Sequence, residues 1–318
     1  MTQSAVHLYP VPADTGTHWD IGRVVDDLRQ SRTRWREAHH NALGERDFPS
    51  RNALSRIITS LASALYPMRL GPPHVRQGNE DFYVGLTLDT ALTELLQQVR
   101  VELHFTTNQD GAPVQNIEQR ATEIVHHFAT GLPEVRRLID SDVDAAYHGD
   151  PAAHSVDEVL LCYPGIIALL YHRLAHALFR LGVPILARTI SELAHAETGI
   201  DIHPGAQIAG SFFIDHGTGV VIGETSVIGE HVRIYQAVTL GSKSFPADGS
   251  GRLKKGLPRH PIVEDHVVIY AGATLLGRIT IGRGSTIGGN VWLTRSVPPN
   301  SHVTQANTQQ DHMDGSGI

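Results

Sequence analysis

Apolar residues recur at every sixth position through the last third of the chain. The series consists of Ile202, Ile208, Ile214 and Val220, then in a shifted frame Ile222, Ile228, Ile234 and Leu240, and after a gap Val263, Ile269, Leu275, Ile281, Ile287 and Leu293. An α-helix repeats every 3.6 residues and an amphipathic strand every two, so neither explains a period of six. A hexapeptide repeat does, because each six residues form a short strand and a turn, and the strands stack as a parallel β-helix. One coil cannot bury its apolar edge alone, so the pattern predicts several stacked coils with a shared core.

The chain before the repeat has helical periodicity. Apolar positions in the segment 166–181 follow i, i+3, i+4 spacing, which predicts a helix that follows Pro164-Gly165 and is closed by Gly182 and Pro184. Further helices are predicted at about 18–40, 50–66, 86–104, 115–129 and 185–195.

These two patterns predict an α+β chain in which an all-helical domain precedes a left-handed parallel β-helix of hexapeptide repeats. The predicted divisions are a flexible tail at 1–16, a helical domain at 17–197, the β-helix at 198–303 and a flexible tail at 304–318. A Gly-, Ser- and Lys-rich insertion at 242–258 interrupts the repeat. It is expected to leave the coil as a loop, either as a tolerated surface excursion or as a flap over a binding groove.

Composition narrows the choice of compartment and partner. The chain has 318 residues, 41% of them hydrophobic, which is enough for two folded units. Its net charge of −7 and the lack of a Lys/Arg-rich run argue against nucleic acid and anionic membranes as partners. The single cysteine, Cys162, excludes an internal disulfide and fits a reducing compartment. With no signal peptide and no run of about 18 apolar residues, we predict a cytoplasmic protein without a membrane span.

The hexapeptide repeat alone does not specify an activity, but five shorter motifs narrow it. They are Asp150-Pro151-Ala152, Asp201-Ile202-His203-Pro204-Gly205-Ala206, Asp215-His216-Gly217-Thr218-Gly219, Gly223-Glu224-Thr225 and Arg259-His260-Pro261. Together these motifs resemble serine O-acetyltransferases over about 150–300, half of the chain. The resemblance implies transfer of acetyl from acetyl-CoA to the L-serine hydroxyl, giving O-acetylserine for cysteine synthesis. It also implies a trimer or dimer of trimers, with acetyl-CoA as co-substrate and no permanently bound cofactor.

Acetyl transfer to serine requires a base, since the hydroxyl is protonated at neutral pH and must lose its proton as it attacks the thioester. By resemblance, His216 is this base and Asp201 is the carboxylate that orients its ring. The two residues are fifteen positions apart, which places them on adjacent coils near the same corner. A hydrogen bond between them is therefore possible.

The resemblance also implies a set of substrate contacts. Asp150 and Asp215 would hold the serine ammonium, while Arg259 and His260 would hold its carboxylate. Taken singly, the two aspartates could instead be turn or helix-capping residues, and Arg259 with His260 could be a surface pair.

The coenzyme is expected to lie in a groove between coils of neighbouring subunits. Gly241, Ala271 and Gly289 stand where the family lets the pantetheine arm approach the backbone, although tight turns also favour small residues. Lys254 and Lys255 could contact the nucleotide phosphates or remain solvated loop lysines. The family's usual segment after Pro298-Pro299 is missing, which puts any coenzyme contact from that segment in doubt.

Three other functions compete with serine acetylation. A metal-dependent carbonic anhydrase would need three histidine ligands, for which His203, His216, His260 and His266 are available. A non-catalytic scaffold would use the helical domain to bind a partner, and an acetyltransferase for a sugar or homoserine would use another hydroxyl. No metal is predicted for the favoured function.

Two regulatory properties are expected from the resemblance. Cysteine is expected to compete with serine, because the two amino acids differ only in the thiol. The chain ends Asp314-Gly315-Ser316-Gly317-Ile318, which resembles the ending with which the family enters the active site of O-acetylserine sulfhydrylase. Ile318 is therefore predicted to bind that enzyme.

Overall fold

The structure is a computed structural model that describes residues 19–38, 48–110, 116–244, 249 and 253–305, with the backbone only at 107–110. The predicted tail at 1–16 and all but the first two residues of the tail at 304–318 lie outside this range. The chain divides into two units, the first ending at Arg46 and the second beginning at Asp47. The first contains α1 (Ile21–Ala38), whose described side chains are exposed.

The second unit begins with a helical bundle. Its described helices are α2 (Arg51–Leu65), α3 (Pro67–Leu70), α4 (Glu80–Asp110), α5 (Ile117–Gly149), α6 (Val156–Cys162), α7 (Pro164–Arg180) and α8 (Pro184–Thr198). Proline occupies the first position of both α7 and α8, where the lost N–H has no intrahelical partner in any case. Side chains from α2, α4, α5, α7 and α8 form one apolar core, which includes Leu54, Leu95, Phe128, Leu174 and Leu186.

The predicted helix at 115–129 was too short. It was predicted to end at about 129, yet α5 continues through Pro133 to Gly149. Leu132, Val135 and Ile139 are buried, so packing against the bundle offsets the hydrogen bond lost at the proline. Likewise α4 begins at Glu80 rather than 86, and α3 and α6 were not predicted. Cys162 ends α6 and lies two residues before the first residue of α7.

The repeat folds as the predicted left-handed parallel β-helix. Its strands are β1 (Asp201–Ile202), β2 (Gln207–Ile208), β3 (Phe213–Ile214), β4 (Val221–Ile222), β5 (Val227–Ile228), β6 (Arg233–Ile234), β7 (Thr239–Gly241), β8 (Ile262–Val263), β9 (Val268–Ile269), β10 (Thr274–Leu276), β11 (Thr280–Ile281), β12 (Thr286–Ile287), β13 (Trp292–Leu293) and β14 (His302–Val303). Sheet A contains β1, β4, β7, β10 and β13; sheet B contains β2, β5, β8 and β11; sheet C contains β3, β6, β9, β12 and β14. We call the turns between these faces the AB, BC and CA corners.

Strand register explains the shifted frame in the sequence. Asp201 pairs with Val221, twenty positions on, whereas Val221 pairs with Thr239, eighteen positions on. The first turn of the coil therefore carries two extra residues, and they fall in the CA corner between β3 and β4. The insertion has no such effect on pairing, because Val227 pairs directly with Ile262 across it.

A buried ion pair joins the helical bundle to the first coil. Arg173 of α7 donates to both carboxylate oxygens of Asp142 at 2.7 and 2.8 Å, and also to the carbonyls of Ile208 and Ala209. The Phe212 amide donates to the same carboxylate at 2.9 Å. Because the pair is almost fully buried and its hydrogen bonds reach both parts, it holds the coil to α5 and α7.

No single helix in the described ranges is both long and apolar enough to cross a membrane. The bent pair α6–α7 meets the two criteria jointly, by length and composition alone.

Candidate active site

The widened CA corner presents His216 to solvent. Its backbone has a positive φ of 61°, and its side chain is 72% exposed. The next residue, Gly217, also has a positive φ, and a Cβ there would lie 2.4 Å from Ile200 Cδ1. The glycine therefore lets the corner pack tightly against Ile200, just before β1, while the His216 imidazole stays exposed.

Two carboxylates flank this histidine. Asp215 Oδ1 lies 3.8 Å from His216 Nε2, and the Asp215 side chain is largely buried. Asp150 follows the end of α5, where it accepts hydrogen bonds from the Tyr163 hydroxyl at 2.6 Å and the Ala152 amide at 2.8 Å. These bonds, and more weakly the charge of His216, lower the pKa of Asp150. The same contact with Asp150 raises the pKa of Tyr163 to about 12, so the phenol stays a donor.

Arg233 is the residue that sequence analysis missed at this corner. It projects from β6 and donates to Asp215 Oδ2 at 2.5 Å and to the Gly149 carbonyl at 2.8 Å. Its guanidinium also lies over the rings of Phe213 and Tyr235. The only signal in the sequence is an arginine at the outward position of a hexapeptide, which is not distinctive by itself.

The AB corner holds the other predicted substrate residues. Arg259 donates to Glu224 at 2.7 Å, and the Thr225 amide donates to Nδ1 of His260 at 3.0 Å. Burial, reinforced by the charge of Arg259, lowers the pKa of His260 to about 4. The neutral ring with Nδ1 as acceptor carries its proton on Nε2. A Cβ at Gly223 would overlap this ring at 2.0 Å, so glycine is required there.

The prediction that Asp201 and His216 lie on adjacent coils is wrong, because His216 follows β3 within the same first coil that begins at Asp201. Asp201 opens β1 on sheet A, and no hydrogen bond or ion pair between the two residues is found in the part of the chain that the structure describes. Its charge instead acts on His203 of the AB corner: burial lowers the pKa of His203, while the Glu224 and Asp201 carboxylates oppose the shift. The structure thus brings His216 together with Asp150 and Asp215, whereas the described contacts do not join Asp201 to His216.

The three residues predicted to contact coenzyme also fall on two corners. Ala271 and Gly289 are neighbours at the CA corner, where the Asn290 amide donates to the Ala271 carbonyl at 2.9 Å. Gly241 ends β7 at the AB side, and a Cβ there would lie 2.8 Å from Leu276 Cδ2. Neither glycine has a positive φ, so close approach and not turn geometry accounts for the missing side chains.

One predicted lysine lines a cleft beside the AB corner. Lys254 joins Lys243, Arg259 and Arg278 around a cavity of about 230 Å³, whereas Lys255 is exposed and does not line it. Three further cations beside Lys254 make the cleft suitable for an anion.

The histidines available for a metal site are dispersed. His203 and His260 lie at the AB corner, His216 at the CA corner, and His266 at the BC corner, stacked on His231 with ring centroids 4.9 Å apart. Within the described ranges, no three His, Cys, Asp or Glu side chains form a group that could hold a metal ion. The ligand set of the carbonic anhydrase alternative is therefore not assembled within one chain.

Acidification is expected to destabilise the fold between pH 6.5 and about 4 through His260. Its folded pKa of about 4 lies below the unfolded value near 6.5, so the unfolded chain binds more protons in this window. The free energy of unfolding should fall as pH falls. Urea unfolding midpoints at pH 7.5, 6.5 and 5.5 would measure this fall. His260→Asn is the comparator, because its amide oxygen can replace Nδ1 as acceptor without titrating. Equal losses in both proteins would contradict the assignment.

The chain is similar to proteins of known family in sequence and in structure. The family described as bacterial transferase hexapeptide (six repeats) matches residues 260–295. The chain is 55% identical over 304 residues to the protein named serine acetyltransferase, plasmid, of Synechococcus elongatus, covering 94% of this chain and 95% of the relative. The structure of Entamoeba histolytica serine acetyltransferase 1 in complex with L-cysteine is 35% identical with a TM-score of 0.67, covering 84% of this chain and 94% of that one. Serine acetyltransferase of Brucella abortus in complex with coenzyme A is 27% identical with a TM-score of 0.51, covering 77% and 91%.

Proposed function

This chain belongs to the serine acetyltransferase family and is an acyltransferase, and from that premise we propose that it acetylates the L-serine hydroxyl with acetyl-CoA, forming O-acetylserine for cysteine synthesis. The observation that carries the proposal is the pair of carboxylates, Asp150 and Asp215, beside the exposed imidazole of His216. Two anions favour an acceptor that bears an ammonium group, which a sugar lacks. Relatives whose structures hold L-cysteine or coenzyme A support the same substrate classes.

The reaction we propose is direct attack with His216 as general base. The imidazole takes the proton of the serine hydroxyl as its oxygen attacks the thioester carbonyl, giving a tetrahedral intermediate. That intermediate collapses with loss of the coenzyme A thiolate, which recovers the proton from the imidazolium. No acyl-enzyme is needed, and Cys162, an exposed residue at the end of α6, takes no part in the proposed reaction.

The separation of the predicted residues supports a site shared between subunits. His216, Asp150 and Asp215 form one half at the CA corner, whereas Arg259 and His260 form another at the AB corner. Both corners border sheet A. Three β-helices packed around a threefold axis could therefore set the CA half of one subunit against the AB half of the next. We therefore propose a homotrimer in which Asp201 belongs to the AB half and meets His216 of the neighbouring subunit.

Mixed trimers are expected to recover activity that neither parent has. His216→Ala removes the CA half and Arg259→Met the AB half, but in random mixtures about one quarter of the subunit boundaries pair two intact halves. Co-expression of differently tagged chains, followed by tandem purification, retains only mixed trimers, in which one boundary of three pairs two intact halves, so the turnover should be about a third of the wild-type value.

The matched control combines His216→Ala with Asp150→Asn, both in the CA half. Every CA half in that mixture is defective, so no boundary pairs two intact halves and activity should stay at the parental level. Recovery in neither mixture would place the whole site within one subunit.

A thiol-release assay tests the function itself. Purified protein with acetyl-CoA should release coenzyme A when serine is added, and far less with homoserine or simple sugars. Turnover with a sugar but not serine would support the alternative acceptor, and none with any acceptor would support the scaffold. Competition by cysteine and binding of the sulfhydrylase by Ile318, which lies outside the described residues, remain predictions.

A further inference from the structure

Arg233 connects the three parts of the CA half. Its strand, β6, lies one coil above β3, which leads into Asp215 and His216. One terminal nitrogen binds the Asp215 carboxylate and the other binds the Gly149 carbonyl, immediately before Asp150. A planar guanidinium can hold both acceptors at fixed positions, which a single ammonium cannot.

One part of this arrangement lowers stability. Nε of Arg233 is buried and has no hydrogen-bond partner among the described residues, a condition that costs free energy. At Gly149 the backbone passes so close to the Phe213 ring that a Cβ would lie 2.9 Å from it, so the end of α5 is closely packed at this site. A buried donor without a partner in such a site needs a reason other than stability.

The position of Asp215 suggests what must be held. Its Oδ2 is bound by Arg233, while Oδ1 stays 3.8 Å from His216 Nε2, beyond hydrogen-bond distance. If the carboxylate were free to turn, Oδ1 could accept a hydrogen bond from a protonated His216 and retain the proton that catalysis must move. Arg233 prevents that rotation by occupying the opposite oxygen.

We propose that Arg233 is a positioning residue that keeps Asp215 available to the serine ammonium and away from His216. The inference rests on the proposed function and extends it to a residue outside the substrate contacts. The charged groups around His216 in the chain are Asp215 from its own corner, Asp150 from the end of α5 and Arg233 from β6, with the Tyr163 hydroxyl on Asp150.

Arg233→Met should change serine kinetics in two ways. We expect KM for serine to rise about tenfold, with KM for acetyl-CoA unchanged, since only the ammonium contacts are loosened. In the pH profile of kcat/KM, the acid limb should move to higher pH by about one unit, because the freed Asp215 stabilises protonated His216. Arg233→Lys should change the serine KM and the acid limb less, since lysine keeps the positive charge but lacks the two terminal nitrogens of the guanidinium.

Arg283→Met is the matched control. Arg283 also pairs with an aspartate eighteen positions earlier, Asp265, at 2.6 Å, but at the BC corner. The Arg283→Met variant should leave the serine KM and the acid limb at wild-type values. Circular dichroism and thermal unfolding check that Arg233→Met is folded, and Arg233→Lys carries the pH measurement if it is not.

Three outcomes separate this inference from the function it rests on. If the wild-type protein acetylates serine but the Arg233 variants keep its serine KM and pH profile, the positioning role is wrong and the function stands. A lower kcat with an unmoved acid limb would mark Arg233 as merely structural and would also overturn the proposal. If the wild-type protein itself fails to turn over serine, the proposed function has failed.

Discussion

Replacing His216 by alanine is expected to lower serine-dependent release of coenzyme A by about 10²–10⁴-fold, the usual loss when a general base is removed. The imidazole is the exposed group between the Asp150 and Asp215 carboxylates, and no other histidine lies at that corner of the first coil. Initial rates at saturating acetyl-CoA over a range of serine concentrations would measure the loss in kcat and KM separately.

The control must account for the backbone as well as the ring. His216 adopts a positive φ of 61°, which alanine tolerates poorly, so the substitution strains the turn whatever the ring does. His231 has a positive φ of 56° at the BC corner and is likewise exposed. His231→Ala should impose the same strain and keep near-wild-type turnover. Near-full activity in His216→Ala, or an equal loss in both variants, would show that His216 is not the base.

Asp142→Asn is expected to destabilise the protein by about 3–5 kcal/mol, the cost of leaving one charge of a buried ion pair without its partner. Asparagine has nearly the same size, but it cannot accept both Arg173 hydrogen bonds and the Phe212 amide bond while neutralising the guanidinium. Urea unfolding followed by circular dichroism would measure the change in midpoint.

A surface pair gives the comparison for this loss. Asp265→Asn removes the partner of Arg283, whose side chain is 62% exposed, and such pairs contribute about 0–1 kcal/mol. The double variant Asp142→Asn, Arg173→Met should recover part of the loss, because it no longer buries an uncompensated cation. If Asp142→Asn and Asp265→Asn unfold at the same urea concentration, the buried pair is not what holds the coil to the bundle.

The hexapeptide period was sufficient to predict the coil because each position of the hexapeptide has a fixed orientation, inward or outward. Ile222, Ile234 and Leu275 point inward wherever they stand, so spacing alone identifies them as core. Even the change of frame after Ile214 was informative, since it marks the two extra residues that widen the CA corner. Sequence predicted α5 less well, because the burial that carries it through Pro133 depends on helices distant in sequence.

For the candidate site, the sequence predicted residues but not their arrangement. The motifs pointed to His216, Asp201 and Arg259, but a linear spacing of fifteen residues could not show whether Asp201 and His216 are in contact. Arg233 could not be found at all, because its significance comes from Gly149 and Asp215, which lie 84 and 18 positions away in sequence.

The way the first coil rests on α7 has a consequence for how the chain folds during synthesis. Ala168 and Leu169 of α7 belong to the core of the coil, and Gly165 contacts Ile214 so closely that a Cβ would lie 2.4 Å from its carbonyl oxygen. The helices leave the ribosome first and can provide a finished surface before any strand exists. Each later coil then adds to an edge that is already ordered, so the β-helix should grow in one direction, from β1 towards β14. Nascent chains halted after successive coils should accordingly gain protease resistance in steps, and chains whose α7 surface is disrupted should gain none.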